Sequence, residues 1–199
     1  VSWATYESLL ADLFERPSPR FTYDRGQLEI MVKSRDHDEW SQAFALVVSF
    51  IAEEFGVDFW NTGQATFKRQ DLAQGFEPDM SFYFRSRPNV RDTLDFDPLT
   101  DLPPDLLIEV DLSRSSLDRF PIFAGFGVGE VWRYRRGKVV IWRLQGDRYV
   151  ESAVSGLLPP ITGEVLARFI ADYQRVRPIE WIRSVRAWAR ERAEAGTGR

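Results

Sequence analysis

A chain of 199 residues is long enough to bury a substantial core, as one domain or two at most. Its 44% hydrophobic, 14% aromatic and 28% charged residues, with a formal net charge of −4, describe a globular protein without the basic excess of a typical nucleic-acid binder. Cysteine is absent and histidine occurs once, at His37, which excludes disulfides, thiolate-bound metals, thiol catalysis and any His-rich metal centre.

In chain order, Ser2 to Arg16 reads as an amphipathic helix, ended by Pro17-Ser18-Pro19. Phe21-Thr22-Tyr23 and Leu28 to Val32 then flank Asp24-Arg25-Gly26-Gln27, a hairpin signature in which glycine supplies the positive φ. Ser34 is placed to cap a helix over Asp36 to Phe55, which Gly56 ends. Trp40, Phe44, Val47, Ile51 and Phe55 form one stripe of that helix. At about 100° per residue His37 falls close to Phe44 and points inward. Extended runs follow at Val57 to Trp60, Gln64 to Arg69 and Met80 to Phe84. Arg85 to Pro104 is irregular and rich in Pro and Asp, a length of loop that is usually functional or mobile. Leu106 to Val110 is an apolar strand with Glu109 set into it. Ser115 or Ser116 is expected to cap a helix reaching Phe126, with Pro121 in its first turns. Gly125 to Gly129 reads as that helix's C-cap and turn, because a dinucleotide-type glycine loop follows a strand rather than a helix. A second hairpin, Glu130 to Tyr134 and Lys138 to Leu144, turns at Arg136-Gly137, and two helices near Thr162 to Gln174 and Ile179 to Glu194 close the chain. With neither repeats nor a linker, this order predicts a single α/β domain with a mixed central sheet.

Charge is unevenly spread. Between Asp71 and Asp118 eleven acids face four arginines, whereas seven arginines between Arg175 and Arg199 face three glutamates. That pattern suits a cation site beside a phosphate-tolerant surface, and equally two solvated faces. The longest apolar run, Ala43 to Ala52, is too short to cross a bilayer and no secretory leader opens the sequence, so a cytoplasmic protein is expected.

Two carboxylates stand where a core-building sequence would not put them. Asp79 follows Glu77-Pro78 and begins a strand, and Glu109 lies inside another with Asp111 two residues on, projecting from the same face. Burying such groups costs several kcal/mol unless a cation meets them. A divalent metal would do so, taking one or two carboxylates and completing its shell with water. So would a strand-end role for Asp79 and an arginine partner for Glu109.

Glu77-Pro78-Asp79, thirty residues before Glu109-Val110-Asp111, resembles the PD…(D/E)xK signature of the restriction-endonuclease-like nucleases. More widely, the chain resembles the Uma family of restriction-endonuclease-like proteins of bacteria. The likeness runs through Gly26 to Met31, His37-Asp38, Gly75 to Asp79, Pro103 to Leu106, Glu109 to Ser113, Ser115 to Arg119 and Gly127 to Trp132. It covers about residues 21–170, with a helical extension over about 171–194. The resemblance implies a restriction-endonuclease-like mixed central sheet flanked by helices. It also implies a Mg²⁺- or Mn²⁺-dependent endonuclease acting on DNA, double-stranded by expectation, with Asp79 and Glu109 as metal ligands. His37 would position water or substrate, or act as an outer ligand; otherwise it is a core histidine satisfied by one carboxylate.

The departure is at the third signature position, where Asp111 stands in place of lysine. Lysine occurs only as Lys33, Lys68 and Lys138, against 23 arginines. Lys68, on the strand before Asp79, is the one expected near the site, and Arg119 occupies the place from which many relatives draw a lysine. Arginine stabilises phosphoryl charge bidentately but does not act as a base at neutral pH. Either Asp111 is a third ligand with Arg119 as the electrophile, or the constellation is degraded. In the latter case the chain is a nuclease-fold scaffold that binds nucleic acid or oligomerises. Separately, the stripe of Trp181, Val185 and Trp188, with Arg183, Arg186 and Arg190 beside it, suits a phosphate-backbone cradle and equally a homodimer seam. Carboxylate-pair glycoside hydrolysis has the acids but no sugar platform.

Overall fold

The computed structural model describes residues 1–13, 19–32, 34–84, 102–112 and 116–197. Among the described residues ten strands form two sheets. β1 (Arg20–Asp24), β2 (Gln27–Met31), β4 (Phe67–Arg69) and β5 (Gln74–Phe76) make an antiparallel sheet of order β2-β1-β5-β4. β3 (Trp60–Gly63), β6 (Met80–Tyr83), β7 (Leu106–Asp111), β8 (Glu130–Arg135), β9 (Lys138–Gln145) and β10 (Arg148–Ser152) make a mixed sheet of order β10-β9-β8-β7-β6-β3. Within it β7 and β8 run parallel, joined by a crossover that carries α3 (Phe120–Phe126). The mixed sheet is the one expected, accompanied by a smaller second sheet.

Local chemistry explains the elements. α2 (Arg35–Phe55) begins where the Ser34 hydroxyl accepts from the His37 amide and ends at Gly56 in the left-handed region. Alternation on β7 and β8 sends Ile108, Val110, Trp132 and Tyr134 to one face and Leu107 and Val131 to the other. The first face packs against α2, α4 (Gly163–Tyr173) and α5 (Pro178–Thr197), and the second against α3. α1 (Trp3–Leu13) seals the small sheet through Tyr6, stacked on Tyr23 with ring centroids 4.9 Å apart.

Several expected boundaries move. The first extended run shifts to Trp60–Gly63, and β5 and β10 were not foreseen. The helix expected from Ser115 or Ser116 starts only at Phe120, with Arg119 at its cap position and Pro121 in its first turn. Ser116 is instead hydrogen-bonded to Glu29, while Ser115, Lys33 and most of the acidic loop lie outside the described residues. The C-terminal stripe turns inward. Trp181 and Val185 are buried in the main core, and Arg186 and Arg190 pair with Glu53 and Glu54 of α2. Part of the stripe is thus engaged within the fold, while Arg183 stays exposed. Among the described residues no helix is long and apolar enough to cross a membrane.

α4 approaches β9 so closely that a Cβ at Gly163 would stand 2.1 Å from the Val139 carbonyl oxygen. Because the obstacle is backbone, Gly163→Ala is expected to destabilise the fold by about 1–3 kcal/mol, read as a lowered midpoint in urea unfolding.

Candidate active site

The site forms where the chain leaves the small sheet for the large one. Glu77-Pro78-Asp79 spans the step from β5 to β6, and proline suits it because no ladder hydrogen bond is needed there. β6 pairs antiparallel with β7 through Met80 opposite Ile108. Asp79 immediately precedes this ladder, at the end of β6 nearest Glu109. Each carboxylate residue is only 3% exposed. The Val110 amide donates to Asp79 Oδ2 at 2.7 Å, fixing that carboxylate against the strand that carries Glu109.

Three cationic or potentially cationic side chains surround them. His37, in the first turn of α2, brings Nε2 to 3.2 Å from Asp79 Oδ2. Arg20 lies with Nη1 3.7 Å from Asp79 Oδ1 and donates to the Pro78 carbonyl. Arg119 donates through Nη1 to Glu109 Oε2 at 2.7 Å and through Nη2 to Glu29 Oε2 at 3.3 Å. The two guanidinium groups are perturbed in opposite directions. Burial draws the Arg20 value down, against the pull of Asp79, Glu77 and Glu109. At Arg119 burial acts in the same sense, but Glu109, Asp79 and Glu29 together outweigh it and push the value up. Arginine stays protonated in proteins, so both remain charged.

The predicted residues thus divide. Asp79, Glu109, Arg119 and His37 come together, and both plain readings also hold, since Glu109 has an arginine partner and Asp79 takes a backbone amide. Asp111 projects beside Glu109 but is engaged by Arg133 of β8. Lys68 is turned to Glu7 of α1 at 2.8 Å. Among the described residues no three His, Asp or Glu side chains are grouped so as to hold a metal.

Arg20 and Glu29 were missed. Their signal lay in the first hairpin, where Arg20, Thr22 and Glu29 share a face by register, while Phe21 and Tyr23 face the other way. Beside the cluster opens a cleft of about 310 Å³, lined among others by Glu109, Asp111, Arg119, Phe120, Arg133 and Arg135.

A family model described as "Putative restriction endonuclease", Uma2, matches residues 3–172. The chain belongs to the Uma2 family. A solved structure entitled as a "putative nuclease belonging to DUF820" from Anabaena variabilis ATCC 29413 superposes with a TM-score of 0.54 at 15% identity. The superposition covers 81% of this chain and 98% of that one, a likeness of fold. No curated protein matches. The Uma2 match ends within α4, so α5 lies beyond it.

Removing the cation from this cluster leaves a buried carboxylate uncompensated. Arg119→Met is expected to cost about 3–5 kcal/mol in chemical unfolding, and the double variant with Glu109→Gln to recover part of that loss.

Proposed function

We propose that this protein is a Mg²⁺- or Mn²⁺-dependent endonuclease that hydrolyses DNA phosphodiester bonds. The observation that carries the proposal is buried Asp79, tied by the Val110 amide to the strand that carries Glu109, beside a cleft with the Arg119 guanidinium on Glu109.

The donor set fits a divalent ion. Glu29, Asp38, Glu77, Asp79 and Glu109 act on Arg20 and Arg119, five carboxylates against two guanidinium groups. That excess of negative charge favours a bound cation. Mg²⁺ in particular takes one or two carboxylates and completes its shell with water, so Asp79 and Glu109 suffice without a third acid. Bound there, the ion would supply Lewis acidity and a hydroxide nucleophile at neutral pH.

The chain's own residues do the rest. Arg119 is held by two carboxylates at the cleft wall, where it offers guanidinium donors to phosphoryl oxygens and takes no proton. That role falls to Arg119 rather than Lys68, which Glu7 engages. His37 fixes the Asp79 carboxylate through Nε2, which makes it a positioning residue. Asp111 acts on Arg133 at the cleft rather than as a ligand. A second reading, a nuclease-fold scaffold that binds DNA without cutting it, draws on the arginines that already compensate Asp79 and Glu109.

Nicking of supercoiled plasmid separates the two. Wild type is expected to nick with Mg²⁺ or Mn²⁺, and Asp79→Ala and Glu109→Ala to lose several kcal/mol of transition-state stabilisation, about 10²-fold or more in rate. His37→Gln is expected to lose about 10–100-fold. Mn²⁺ should raise the melting temperature of wild type and not that of Glu109→Ala. Nicking that survives both alanine substitutions overturns the proposal, and DNA binding without any nicking favours the scaffold.

A further inference from the structure

We infer that the tip of the β8–β9 hairpin is a phosphate-backbone clamp that holds a nucleic-acid strand beside the scissile position. The inference rests on the nuclease reading for its substrate but on separate residues for its evidence.

The parallel register of β7 and β8 sets Glu109 beside Arg133 and Asp111 beside Arg135. Neighbours in such a ladder share a face, so Arg133 and Arg135 continue the line of the site toward the sheet's end. Both line the cleft that contains Glu109 and Arg119. On the next strand Lys138 is the direct partner of Arg135, and Arg136 and Gly137 make the turn between them. Four cations therefore occupy one hairpin end. Arg133 is matched by Asp111, whereas Arg135, Arg136 and Lys138 are exposed and form no ion pair among the described residues.

One choice at this tip runs against the fold's own preferences. Like charges directly opposite one another destabilise an antiparallel pair, yet Arg135 faces Lys138. That choice does not help the hairpin form, and it concentrates positive charge. Departures of this kind are expected where function sets the residue. A polyanion relieves the repulsion, and the strip's continuity with the Asp79 and Glu109 site points to a nucleic-acid backbone. Arg133, with its guanidinium carbon 5.3 Å from the Phe120 ring centroid, marks the inner end of the strip.

The test is duplex binding by fluorescence anisotropy in EDTA over a series of salt concentrations. It compares wild type, Arg135→Gln/Lys138→Gln, and a control, Arg148→Gln. Arg148 is exposed near the β9–β10 turn, at the other end of β9 from Lys138. Each phosphate contact contributes about −0.9 to the slope of log K against log salt, so the double variant should flatten it by about two, and the control should leave it unchanged. Its melting temperature should be no lower than wild type, since a repulsive pair has been removed. An unchanged slope in the double variant, or a wild type without salt-dependent binding, overturns the clamp. A flattened slope in a protein that never nicks DNA keeps the clamp and removes the nuclease reading.

Discussion

Buried charge must be answered, and the way this chain answers it organises the fold. Glu109 lies within β7 and Asp79 just before β6, both buried in the large sheet's side of the fold, where an uncompensated carboxylate costs several kcal/mol. The groups that meet them come from α2 through His37, from β1 through Arg20 and from the α3 cap through Arg119, which in turn reaches Glu29 on β2. One electrostatic cluster thus ties both sheets and two helices together. Apolar residues of the same volume would do as well or better for stability, because a buried ion pair rarely repays its own desolvation. Stability alone therefore does not account for these charges.

Much of the architecture was legible because it rests on short-range signals. Ser34, Gly56 and the apolar stripe between them define α2, and Arg136-Gly137 defines the second hairpin. The inward direction of His37 followed from helical geometry alone, and its closeness to Asp79 from the likeness to a family. β5 was lost because Gln74-Gly75-Phe76 carries little strand propensity and is held by pairing to β1 and β4, with Gly75 packed under the Tyr6 ring. The start of α3 was misplaced because serine is a strong capping signal, and here Ser116 spends its hydrogen bonds on Glu29.

The site was legible as a set of acids but not as a set of partners. Spacing along one strand aligned Asp111 with Glu109, and nothing in that spacing shows that Arg133, from a strand more than twenty residues on, would claim Asp111. Lys68 likewise looked near in sequence, and Glu7 of the N-terminal helix holds it. Cation–carboxylate pairing is decided by tertiary position, and with 23 arginines a linear reading offers too many candidates.

The parallel pairing of β7 and β8 has a consequence of its own. Parallel neighbours need a crossover, and the connection must travel back along the sheet before β8 can begin. Its helix therefore starts near the end of β7, and the residue at that start, Arg119, hangs over the carboxylate that β7 presents. The crossover thus delivers a cation to Glu109 from outside the strand that carries it, and a signature read along that strand alone does not reveal it.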